Sequence, residues 1–414
     1  MIVSLAKKSR NAALTVAGLS ADRKNAALLS ASAALLDNTA FIINENKKDL
    51  KRLKKTKQRG AFINRLTVNQ AQIISMSDSL KAIARLADPV GQVIKEWSAP
   101  SGFWIRKVRV PIGVIAIIYE SRPDVTSDCI GLCLKSGNCV ILRGGSEAIN
   151  SNKAIYKVLA ESLRKSGIPD GAANLVQTTS RQEVRGLLKL NEYIDLVIPR
   201  GGKGLIKQVT ELSRIPVIKH YQGICHVYVD KDADLSMARE VCFNAKVQRP
   251  GTCNAMETML VHQDIASEFL PEMLEAFKKA LVRIRGCSLT RKIVKAGVQA
   301  AKEKDYQTEY LDLILSVKVV KGLQEAIDHI NLYGSHHSDS IVTANDAAAA
   351  QFLREVDSAC VYHNASTRLT DGFQFGMGAE MGISTDRLHA RGPMALEELT
   401  TYKYVIYGKG HLRK

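Results

Sequence analysis

From residue 113 to 229 the chain alternates short apolar runs with amphipathic stretches, and few architectures accept that order. Apolar runs fall at 113–119, 138–143, 174–177, 193–198 and 226–229, with a further strand near Val217. Helical periodicity occupies 124–135, 148–166, 181–189 and 203–213. Strands separated by helix-length segments predict a parallel sheet covered on both faces. A second run follows: helix 234–246, strand 258–261, helix 265–285, strand 314–320, helix 322–332, strand 340–344, helix 346–355 and strand 360–362. The expected class is α/β, with two lobes divided near 234 and no Pro- or Ser-rich linker between them. Residues 2–87 read as helices, at about 2–17, 21–36 and from Thr67 through Leu86. Residues 104–110 alternate apolar and basic side chains, as a half-exposed strand would, and Pro111 ends it.

A length of 414 residues suits two or three domains, and 46% hydrophobic residues are ample for their cores. Neither a secretory pattern nor a run of membrane-spanning length is present, so the expected setting is the cytoplasm, without a membrane partner. The eight cysteines show no CxxC pair and no regular spacing. They read as reduced core cysteines rather than a disulfide framework or metal site, and no metal is expected. A net charge of +17 suits either a nucleic-acid binder or a protein that attracts small anions. The densest basic run, 51–57, has no interleaved aromatics and reads as a solvated helix end, so nucleic acid is not the expected partner.

Chemistry concentrates around Cys253, in Gln248-Arg249-Pro250-Gly251-Thr252-Cys253-Asn254-Ala255. Pro250-Gly251 interrupts regular structure and puts the cysteine in a turn. Asn254 and Glu257 have capping-box spacing, which predicts a helical turn starting just after the sulfur. A helix start and the Arg249 charge would both favour thiolate. On these residues alone, Cys253 is either a buried small hydrophobe or a nucleophile.

Two glycine loops close successive strands. Arg143-Gly144-Gly145-Ser146 follows one strand and opens a helix; Arg200-Gly201-Gly202-Lys203 repeats the arrangement. Free N–H groups at a helix start receive anions, and Arg143 could pair with the 2′-phosphate that separates NADPH from NADH. Neither loop is a GxGxxG or Walker sequence, and each alone is an ordinary turn.

The segment Phe243-Asn244 through Gln248-Arg249-Pro250-Gly251-Thr252-Cys253 resembles the nucleophile segment of the aldehyde dehydrogenase superfamily. Together with the turn-rich block from His363 to Pro393, it resembles the gamma-glutamyl phosphate reductase branch, over nearly the whole chain. The resemblance implies an aldehyde-dehydrogenase-like fold: two Rossmann-type α/β lobes and a small β oligomerisation arm. On that plan residues 1–233 hold N-terminal helices and the NADPH-binding domain, with an arm strand about 101–112. Residues 234–362 form the catalytic domain, and 363–414 a substrate loop and a C-terminal arm returning to the first lobe. It implies Cys253 as nucleophile, and Arg143, Gly144, Gly145, Ser146, Arg200, Gly201 and Gly202 at the cofactor. Ser121 stands where the superfamily keeps an oxyanion-holding Asn, with Arg122 and His220 as further substrate candidates. His226 reads either as a substrate contact or as a structural histidine. Asn364, Ser366, Thr367 and Arg368 would suit the amino-acid end of a glutamyl substrate. Residues 218–226 lack the water-activating Glu of hydrolytic relatives, which favours acylating chemistry. The implied reaction is NADPH-dependent reduction of L-glutamyl 5-phosphate to L-glutamate 5-semialdehyde, in proline biosynthesis, by a homo-oligomer. A glutamate 5-kinase handing over the labile substrate stays open as a partner. A CoA-acylating enzyme and a non-enzymatic nucleotide- or RNA-binding protein are the alternatives.

Overall fold

The computed structural model describes residues 1–53, 63, 65–219 and 222–413; residues 54–57 of the basic run and His220 lie outside them. Two compact units emerge. One comprises Met1–Lys219, Gly376–Gly382 and Met394–Lys414; the other comprises His220–Phe375 and Ile383–Pro393.

The first unit begins with helices Ile2–Ala17, Ala21–Asp37, Thr39–Leu53 and Gln70–Arg85. Ser20 caps the second, and Asn69 with Gln72 forms a capping box on the last, so each start is written locally. Strands β1 (Val93–Ser98) and β2 (Trp104–Pro111) follow, then β3 (Val114–Tyr119), β4 (Cys139–Gly144), β5 (Ala173–Leu175) and β6 (Leu196–Arg200). The last four form a parallel sheet of order β5-β4-β3-β6. Every residue of β3 is buried, the pattern of a strand covered on both faces. Val217 adds only an isolated parallel bridge to Val197.

The second unit carries β7 (Cys225–Val229), β8 (Met256–His262), β9 (Arg283–Gly286), β10 (Val298–Ala300), β11 (Ile314–Val320), β12 (Ser338–Val342) and β13 (Cys360–His363). They form a seven-stranded parallel sheet of order β10-β9-β11-β8-β7-β12-β13. The sequence reading closed the first lobe with the strand 226–229 and put the boundary at 234. That strand is β7, which pairs with β8 and β12. The two units accordingly divide ahead of it, between residues 219 and 220. Strands β9 and β10 depart from the sequence pattern, whose helical periodicity runs through 285. The helix ends instead at Lys279, where Leu281 takes φ +64 with no glycine to announce the stop.

Short strands β14 (Ile383–Ser384) and β15 (Gly392–Pro393) pair with each other, and β16 (Thr400–Tyr407) closes the chain. β16 lies antiparallel on β2 from Thr400↔Pro111 to Tyr407↔Trp104, with β1 on the other edge of β2. This pairing of β16 with β2 is made within one chain. Among the described residues no single helix is long and apolar enough to cross a membrane.

Candidate active site

Helix Leu235–Val247 stops at Gln248, and the chain turns through 249–255 before entering β8. The helical turn expected after Cys253 is absent: Ala255 N–H bonds back to the Thr252 carbonyl at 3.1 Å, and Met256 is already strand. Glu257 was read as a capping residue. It lies inside β8 with its carboxylate 2.7 Å from Lys246 Nζ, both side chains fully buried, and it also accepts from Leu311 N–H. Burial pushes the Glu257 carboxyl up to about 7 and drives Lys246 down. A paired carboxylate in a buried strand cannot reach back to a helix start, so the helix start expected after Cys253 is not there to support a thiolate.

Instead, the turn is gripped from behind and from one side. A Cβ on Gly223 would collide with the Cys253 carbonyl, so only glycine allows this approach. Cys225, at the start of β7, places Sγ 3.2 Å from that same carbonyl oxygen. The sulfur is fully buried, and burial holds its pKa far above the usual thiol range, so it stays a neutral donor. Behind it runs a chain of contacts. His337 Nδ1 lies 3.7 Å from the sulfur and 2.9 Å from Ser338 Oγ; Thr370 Oγ1 lies 2.6 Å from both Ser338 Oγ and Tyr362 Oη. Cys253 therefore sits at the amino ends of β7, β8 and β12, not at the carboxyl ends where open α/β sheets usually bind ligands.

The C-terminal block supplies the lateral grip. Thr367 Oγ1 donates to the Asn254 carbonyl at 2.8 Å, and Asn254 Nδ2 donates to the Thr370 carbonyl at 2.9 Å. Arg368 donates through Nε to Gln248 Oε1 at 2.9 Å and through Nη1 to Asn254 Oδ1, bridging both ends of the loop. Burial and the neighbouring Arg249 guanidinium lower the Arg368 pKa, and Cys253 opposes them. Ser366 caps the turn at Arg368 N–H. Asn364, at φ +55, spends its amide on Thr343 N–H and C=O. Of the four candidates in this block, Arg368 is brought to the cysteine loop as a charge; the hydroxyls of Ser366 and Thr367 serve backbone groups.

No carboxylate lies in 218–226, yet Glu309 reaches this region from afar, its Oε1 accepting Gly223 N–H at 2.8 Å. His226 is wholly buried against Asp339, whose Oδ1 is 2.8 Å from both its Nδ1 and its backbone nitrogen. That is a structural pair. Nothing in the sequence marked Gly223, Cys225, Glu309 or Asn254 for these contacts, because each partner is distant in the chain.

In the first unit, the loops that leave β3, β4 and β6 are stitched by two carboxylates. Glu147 Oε1 accepts Ser121 N–H at 2.7 Å and Ser121 Oγ at 2.8 Å, and Ser121 takes φ +48. Glu120 Oε2 accepts Gly202 N–H at 2.8 Å at the start of helix Lys203–Leu212. Added Cβ atoms on Gly144, Gly145 and Gly201 would meet the side-chain ends of Asn152, Glu147 and Glu120, which would have to shift to admit them. Ser146 opens the short 3-10 turn Ser146–Ala148 before helix Ile149–Lys165. Arg143, at the end of β4, donates from Nη2 to the Thr179 carbonyl at 3.4 Å. Its Nε is buried without a partner among the described residues, and burial lowers its pKa. An unsatisfied guanidinium N–H at a strand's carboxyl end fits an anionic nucleotide. Arg200 packs on the backbone of Gly382. Arg122 is exposed.

A parallel sheet with glycine-rich loops at its carboxyl ends, and a cysteine turn seated on a second parallel sheet, define an aldehyde dehydrogenase architecture. Residues 4–286 match the aldehyde dehydrogenase family model, and the chain belongs to that family. Within it, the chain is 52% identical over 414 residues to the gamma-glutamyl phosphate reductase of Thermodesulfovibrio yellowstonii, covering 100% of this chain and 99% of that one. The gamma-glutamyl phosphate reductase of Caldanaerobacter subterraneus subsp. tengcongensis is 54% identical over 409 residues, with 99% of each chain covered. The crystal structure of gamma-glutamyl phosphate reductase from Thermotoga maritima, 47% identical, matches over 100% of both chains with a TM-score of 0.97. An acetylating aldehyde dehydrogenase from Geobacillus thermoglucosidasius, 14% identical, shares the fold with a TM-score of 0.72 over 100% of this chain and 97% of its own. Membership of the family carries with it a nicotinamide cofactor.

Proposed function

We propose that this chain reduces L-glutamyl 5-phosphate to L-glutamate 5-semialdehyde and phosphate with NADPH, the second step of proline biosynthesis from glutamate, in the cytoplasm. Full-length similarity to gamma-glutamyl phosphate reductases carries the reading. The turn around Cys253 supports the chemistry. Its sulfur attacks the acyl carbon, the bond to the phosphate oxygen breaks, and a thioester remains on Cys253. A bound nicotinamide supplies the hydride that reduces this thioester. The backbone N–H of Cys253 is our candidate donor to the resulting oxyanion, which collapses to release aldehyde and sulfur. We assign Arg143, with its unpartnered Nε, to the 2′-phosphate, and the loops Gly144–Ser146 and Arg200–Gly202 to the cofactor's remaining phosphates.

Exposed Tyr404 and Ile406 on the three-stranded arm support a homo-oligomer. An acyl phosphate is made by phosphoryl transfer to a carboxylate, so a glutamate 5-kinase is the activity that must precede this one.

Running the reaction backwards tests the reading. Oxidation of the semialdehyde should require inorganic phosphate and prefer NADP⁺ to NAD⁺, and Cys253→Ser should abolish it with the fold intact. Turnover with coenzyme A in place of phosphate would overturn the assignment.

A further inference from the structure

We propose that Arg249 and Arg368 together form the subsite for the phosphoryl group of the acyl phosphate, an inference that rests on the reaction assigned above. Arg368 is not a loose surface charge. Its Nε is fixed on Gln248 and its Nη1 on Asn254, the two residues that flank the stretch from Arg249 to Cys253. The guanidinium thereby bridges the two ends of the nucleophile loop, which also carries the exposed Arg249. Burial, and after it the positive charge of Arg249, weaken the hold of Arg368 on its proton. Cys253 and Asp371 act on Arg368 in the opposite sense. An arrangement that keeps two guanidinium groups together next to a nucleophile gains most when an anion of more than one charge lies between them.

The reaction supplies such an anion. As the Cys253 Sγ–C bond forms, the bond from the acyl carbon to the bridging oxygen breaks, and its electron pair leaves on orthophosphate. No proton is needed to expel it. Charge grows on the phosphate oxygens, where a planar guanidinium can donate two parallel N–H bonds. This assignment moves Arg368 from the amino-acid end of the substrate to its phosphate end.

Alkylation of Cys253 by iodoacetamide, followed by mass spectrometry, provides a readout independent of turnover. Inorganic phosphate should slow labelling of the full-length wild-type protein and should lose that effect in Arg249→Gln and in Arg368→Gln. In the reverse reaction, KM for phosphate should rise at least about tenfold in each variant, while KM for the semialdehyde stays within about twofold. Arg368→Lys, which keeps charge but not the fork, should fall between. Arg249→Gln guards against loop collapse, because that side chain is exposed. Wild-type phosphate KM and full protection in both glutamine variants would overturn the subsite alone. A wild-type enzyme that neither needs phosphate nor is protected by it would overturn the assigned reaction as well.

Discussion

Cys225 directs its Sγ at the carbonyl oxygen of Cys253 from 3.2 Å away, so one cysteine positions the backbone of the other. The two thiols differ in burial: Cys225 is sealed, whereas Cys253 is partly accessible. Alkylation of the native protein should therefore label Cys253 and spare Cys225. Cys225→Ala removes a weak donor and should cost about 1 kcal/mol of stability and lower kcat more than it raises KM. Equal labelling of both sulfurs in folded protein would contradict the burial.

Gly223→Ala is the sharper perturbation. Its methyl group would occupy the position of the Cys253 carbonyl, which is backbone and cannot swing away. The expected cost is about 1–3 kcal/mol or more, with loss of reductase activity. Thermal melts and initial rates, measured together, check it; an active variant of unchanged Tm would show that the two segments do not touch.

Acid should destabilise the second unit through its buried histidines. Burial lowers His337 to about 4 and His329 to about 2, against the ordinary value of 6.5. Both are neutral when folded, and both take up protons more readily when unfolded. The stabilisation is complete above about pH 6.5 and declines as pH falls toward 4, by roughly 1.4 kcal/mol per pH unit for each histidine. Urea melts at pH 7.5 and 4.5 should show this loss, and His337→Asn should show less of it than the wild type.

On the arm, Tyr404 is 54% and Ile406 61% exposed. Tyr404→Asp combined with Ile406→Asp should lower the mass seen in sedimentation at micromolar concentration. A wild-type protein that is already monomeric there would remove the arm from an assembly role.

The sequence by itself determined much of the order of strands and helices, though not β9 and β10, because hydrophobic period and capping residues act over a few positions. Helices Asp124–Lys135 and Asp346–Glu355 and strand Ile314–Val320 fall where their patterns place them. It also singled out Cys253, since Pro250 and Gly251 announce a turn. Tertiary structure decided how that turn is held and which donors remain for chemistry. Thr367 reads as a ligand-binding hydroxyl, yet it satisfies the carbonyl of Asn254, 113 residues away. Glu257 reads as a helix cap and is instead the buried partner of Lys246. Buried polar groups must find partners, and the fold alone decides which distant residue is within reach.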